Sequence, residues 1–152
     1  MVRRVLGGAV AVMLAAFLGA CGEDPVQADP AVAPFVGTWD ADSLTLTNDA
    51  NPSQVANILA TGSFVIIVEP SGQYTATLTV FSQSSPEIGQ LRVLNATTLT
   101  LTPSFPPGRP VATATYTFQA DDDLTLEGAS EFDFNFDDID EPAQAYTHLV
   151  RR

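Results

Sequence analysis

The chain has 152 residues and a formal charge of −12, with 18 acids against six arginines and no lysine. A surface this acidic repels phosphate backbones and anionic headgroups, which excludes nucleic acid as a partner. With one cysteine, Cys21, and one histidine, His148, the chain has neither a disulfide framework nor the several His and Cys ligands of a usual zinc site.

Arg3 and Arg4 open the chain, and Val5 to Phe17 is an unbroken run of apolar residues and glycine. That run is too short to span a hydrocarbon core, which takes about 20 residues, and it has the make-up of a signal-peptide core. Leu18-Gly19-Ala20-Cys21 follows, then Gly22. This tetrad resembles the lipobox of bacterial lipoproteins. The resemblance implies that residues 1–20 are removed, that the Cys21 thiol carries a diacylglycerol, and that the new amino terminus takes a further acyl chain such as palmitate. Several chains anchor firmly where one is marginal, at about 0.8 kcal/mol per buried methylene. Gly22 in place of an aspartate implies an outer-membrane anchor facing the periplasm rather than the inner membrane. Residues 21–34 hold Pro25, Pro30 and Pro34 among small and acidic residues and read as a tether. The folded domain is expected over 35–152, long enough for one core.

From Phe35 onward the signal is mostly strand, with Thr, Val, Leu and aromatic residues alternating between Gly, Pro, Asn and Asp punctuation. Gly37 to Thr47 predicts a first strand with Leu44 and Leu46 on one face. Asn51 to Ala60 predicts the one short helix, with Asn51 as cap, Pro52 at the first position and Val55, Ile58 and Leu59 on one side. Ser63 to Glu69 and Gln73 to Phe81 predict a hairpin about Pro70-Ser71-Gly72. A polar loop is expected at Ser82 to Glu87, then strands at Gln90–Leu94 and Thr97–Thr102. Pro103 to Pro110 reads as a proline-rich loop. Val111–Gln119, Leu124–Glu127, Glu131–Asp137 and Gln144–Val150 complete the strands, with Phe132, Phe134 and Phe136 placed on one face. The fold class is therefore all-β. A meander closed into a small antiparallel barrel of about eight strands removes its own edges, and a β-sandwich is the alternative.

Gly37-Thr38-Trp39 matches the G-x-W motif that opens the first strand of lipocalins, and the strand-turn-strand rhythm that follows resembles small lipocalin-like domains. The resemblance implies that Trp39 packs at a closed barrel end. It also implies that a basic residue of the last strand, Arg151 or Arg152, lies across the indole. The short chain and the predicted helix after the first strand depart from typical lipocalins and argue against a large cavity.

The expected function is a membrane-anchored, non-enzymatic lipoprotein, monomeric and without a cofactor, whose barrel binds a small hydrophobic ligand. Trp39, Phe64, Ile66, Tyr74, Leu78, Tyr116, Phe118, Phe132 and Phe134 are the candidate lining residues. An alternative is an envelope interaction module acting through the acidic rim or Phe105 in the proline-rich loop. A third is an enzyme with His148 as base, although no G-x-S-x-G elbow accompanies it. Asp133, Asn135 and Asp137 match the start of a calcium loop, but Asp138 replaces its glycine, so a solvated acidic face is the expected reading.

Overall fold

The computed structural model of the protein describes residues 28–152. The expected signal segment 1–20, the expected lipidation site Cys21 and the expected tether up to residue 27 lie outside the described residues.

Nine strands follow in order: β1 (Gly37–Asn48), β2 (Val55–Asn57), β3 (Gly62–Val68), β4 (Gln73–Val80), β5 (Gln83–Asn95), β6 (Thr98–Phe105), β7 (Ala112–Ala120), β8 (Asp123–Phe132) and β9 (Glu141–Arg151). β3 pairs with β1, and each later strand pairs antiparallel with the one before it. β9 then returns to β1, from Trp39 opposite Arg151 to Asn48 opposite Ala143. β1 and β3–β9 thus close an eight-stranded antiparallel barrel, so every one of those strands has two neighbours.

β2 is the extra strand. β3 covers only Gly37–Asp40 of β1, which leaves the far half of that edge free. Val55–Asn57 fills it, opposite Thr45–Thr47. This replaces the helix expected over Asn51–Ala60. The Asn48 carboxamide accepts from the amides of Ala50 and Asn51, turning the chain back at once. Only one 3-10 turn remains, Ile58–Thr61, with Asn57 as its cap. A ten-residue helix is marginal by itself, whereas an unpaired strand edge offers hydrogen bonds immediately.

Three other boundaries move. The polar loop expected at 82–87 belongs to β5, whose Gln83–Gln90 pair with β4 along its whole length. Proline at 86 is accommodated opposite Thr77. β6 runs on to Phe105, so the proline-rich loop shrinks to residues 106–111. Glu131–Asp137 is not a separate strand, since β8 continues unbroken to Phe132 and the chain then bends away. The stretch read as tether also packs in part: Val32 is fully buried, and the Asp29 amide donates to Pro70 O.

The two ends of the barrel differ because inward side chains change size along the strands. On β7 they run Ala112, Ala114, Tyr116, Phe118, and on β8 and β9 Gly128 and Ala145 give way to Leu124 and Leu149. The large end is closed by a 3-10 turn, Ala33–Phe35, which lays Phe35 against Tyr116 and Phe118 at ring distances of 4.9 and 5.0 Å. Trp39 sits at its centre, fully buried, and its indole N–H donates to Phe35 O at 2.7 Å. The small end is left hollow.

Candidate ligand cavity

The hollow is a cavity of about 290 Å³, at the low end of the range for small-molecule sites, roughly 300–1,000 Å³. Phe64, Ile66, Tyr74, Leu78, Leu101 and Leu126 supply its apolar wall, and Ala76, Ala114, Gly128 and Ala145 supply its room. β6 and β7 pair through only four residues here, Thr98–Leu101 with Ala112–Thr115. The loop 106–111 that joins these strands carries Arg109 to the cavity.

Among the polar residues of the lining, Tyr74, Glu87 and Arg109 form a connected group. Tyr74 donates its hydroxyl to Glu87 Oε1 at 2.7 Å, and the other carboxylate oxygen lies 3.8 Å from Arg109 Nε. Burial first, then the hydrogen bond and the charge of Glu87, push the Tyr74 phenol far above its ordinary range, so it remains a donor. Gly89 makes this arrangement possible. A Cβ there would come within 2.7 Å of the Tyr74 ring and 2.5 Å of Thr102 O, so the ring can cross β5 only over glycine.

Of the nine candidate lining residues, Phe64, Ile66, Tyr74 and Leu78 border the cavity. Trp39, Tyr116 and Phe118 instead form the closed-end cluster with Phe35. Phe132 and Phe134 stack edge-on at 5.0 Å beyond the cavity lining. Phe136 does not share their face but is 85 % exposed. Sequence reasoning missed Glu87 and Arg109, which sat in presumed loops. The signal available was phase: Glu87, Gly89 and Leu91 are two residues apart and so share one side of a strand, with Gly89 and Leu91 buried and Ile88 and Gln90 between them only partly so.

The mouth is ringed by apolar side chains. Phe81 in the β4–β5 turn, Phe105 and Val111 beside the 106–111 loop, Phe136 and Ile139 in the β8–β9 connection, and Val55 on β2 are all exposed. Acids stand among them, and Asp133 organises the last connection. Its carboxylate accepts from the amides of Asn135, Phe136, Asp137 and Asp138. Desolvation opposes ionisation of this carboxyl, but the four amides outweigh it and hold its pKa below the usual value. The calcium-like spacing of Asp133, Asn135 and Asp137 is thus used for turns within the chain. Among the described residues no three His, Cys, Asp or Glu side chains converge to hold a metal ion.

His148 lies on the outer face of β9, across the sheet from the cavity. Its Nδ1 is 2.5 Å from Asp42 Oδ1 and its Nε2 is 2.7 Å from Asp123 Oδ1. Asp42 is the extra residue of a bulge between Ala41 and Ser43, which turns its carboxylate toward the ring. The hydrogen bonds to Asp42 and then Asp123 raise the imidazole pKa above its ordinary 6.5. Both ring nitrogens are occupied, which leaves neither free to act as a base.

No family model and no curated protein matches this sequence. Among solved structures it is similar in fold to EF1p2_mFAP2b, described bound to DFHBI. The identity is 19 %, with 80 % of this chain and 97 % of that chain covered and a TM-score of 0.49. A redesigned β-barrel, b11L5F_LGL, is similar at 14 % identity over 80 % of this chain and 95 % of that one, with a TM-score of 0.48.

Proposed function

We propose that this chain is a lipid-anchored, non-enzymatic binding barrel whose mouth cavity takes a small hydrophobic ligand. The observation that carries the reading is the graded interior. Large side chains fill one end, while Ala76, Ala114, Gly128 and Ala145 leave the other hollow within a mostly apolar wall. A barrel selected only for stability gains from filling such space, because voids forfeit packing contacts. The anchor would be acyl chains on Cys21, as the lipobox resemblance implies. The described chain begins at the closed end, where the Asp29 amide donates to Pro70 O. Against an enzyme stand the engaged nitrogens of His148 and its place outside the barrel.

A second reading, docking of a protein on the mouth, is favoured by the exposed ring of Phe81, Phe105 and Phe136. Native mass spectrometry of the chain, purified gently from the cells that make it, tests the first reading. The expected result is one small molecule per chain, absent from an Ala114→Phe variant that fills the cavity. A bare mass for the unaltered chain, or a ligand retained by Ala114→Phe, counts against it.

A further inference from the structure

The ion pair at the cavity allows the ligand class to be narrowed, on the reading that the cavity binds a ligand at all. From the Tyr74–Glu87–Arg109 arrangement we infer that the cavity selects an uncharged, compact, apolar molecule bearing one group that both donates and accepts a hydrogen bond, such as an alcohol, phenol or primary amide.

Three observations converge on this. Tyr74 occupies one oxygen of Glu87, and the other stands 3.8 Å from Arg109 Nε, too far for a hydrogen bond. An acceptor is therefore free. The terminal guanidinium nitrogens of Arg109 make no hydrogen bond to the described residues, so donors are free beside it. A hydroxyl can give its proton to Glu87 and take one from Arg109, leaving the pair intact.

Charge disfavours the alternatives. A carboxylate head reaching Arg109 meets Glu87 within a few ångströms, and an ammonium head reaching Glu87 meets Arg109. Seating an apolar body expels water, which lowers the local dielectric and strengthens both repulsions. The Arg109 side chain is 57 % exposed and keeps its water, but the Glu87 carboxylate is only 26 % exposed, so a hydrocarbon with no head covers its free acceptor without pairing it, which is unfavourable as well. The volume of about 290 Å³ sets the size. It suits one or two fused rings or a short branched chain, not a long acyl chain.

Four probes with one ring system separate these cases: naphthalene, 1-naphthol, 1-naphthoate and 1-naphthylmethylamine, titrated at neutral pH into the purified chain. The expected order places 1-naphthol tightest, by about tenfold over the other three, the scale of one hydrogen bond to a charged group. Two variants then shift the order in opposite directions. Glu87→Gln leaves Arg109 without its counter-charge and raises affinity for 1-naphthoate. Arg109→Met leaves Glu87 alone and raises affinity for the amine. Near-UV circular dichroism confirms that each variant keeps its tertiary packing. A charged probe binding tightest to the unaltered chain overturns the inference, as does an order that neither variant changes. Equal binding of naphthalene and 1-naphthol overturns it while leaving the cavity as a ligand site. Failure of all four to bind removes the cavity reading along with it.

Discussion

The guanidinium carbon of Arg151 lies 4.4 Å from the centroid of the Trp39 indole. The same side chain donates from Nη1 to Val36 O at 2.7 Å and from Nη2 to Pro34 O at 2.6 Å. One residue of the last strand therefore ties the first strand and the amino-terminal turn together, where β1 and β9 meet. Gly37, at φ +136°, gives the backbone beside it a path that side-chain-bearing residues avoid. Replacing Arg151 with Ala removes the cation over the ring and both hydrogen bonds. The expected loss is about 2–4 kcal/mol of unfolding free energy in urea titrations. Arg151→Lys recovers only part of it, because an ammonium lacks the planar fork. An Ala variant as stable as the parent would show that the closed end does not depend on this contact.

Gly89→Ala is expected to destabilise by roughly 1–3 kcal/mol, the usual cost of overpacking. The new methyl group would meet Thr102 O and the Tyr74 ring. Tyr74 would have to leave Glu87, so the variant should also lose affinity for cavity ligands. Denaturant titration together with a binding titration checks both effects. A loss of stability with unchanged binding would separate Gly89 from the cavity.

His148 makes stability depend on pH. Its pKa in the fold is raised above 6.5, the hydrogen bonds to Asp42 and Asp123 being the main causes. The folded state therefore holds the proton more tightly than the unfolded chain. This contribution is fully present below 6.5 and is lost as pH rises through the higher value of the fold. The melting temperature of the protein should fall across that interval relative to His148→Gln, and Asp42→Asn should flatten the difference. Parallel curves for parent and His148→Gln would contradict the assignment.

Closure of the sheet and its alternating strands were legible in the sequence, because period-2 patterning in Gln73–Phe81 and Val111–Gln119 reports directly on inward and outward faces. So was the clasp on Trp39, through the G-x-W resemblance and the terminal arginines. The segment Asn51–Ala60 was not, because its helix-like caps depend on competition with a free edge of β1, and that edge exists only once β3 has taken Gly37–Asp40. Phe134 and Phe136 misled for a related reason. Their alternation continues that of β8, but the Asp133 carboxylate captures the amides that a strand would need. The cavity lining was legible in part. Apolar type marks Phe64 and Trp39 alike, and only the folded barrel separates the hollow end from the filled one. The small residues that make the room were no easier to read, since Ala114, Gly128 and Ala145 come side by side only after the strands are paired.

An NMR titration with 1-naphthol, the probe expected to bind tightest, tests the central claim most directly. The account predicts saturable amide shifts at Ala76, Ala114, Gly128 and Ala145, with the amides of Leu99 and Leu149 at the filled end unmoved. Shifts confined to Phe81, Phe105 and Phe136 at the exposed rim, or no saturable shifts, would contradict it.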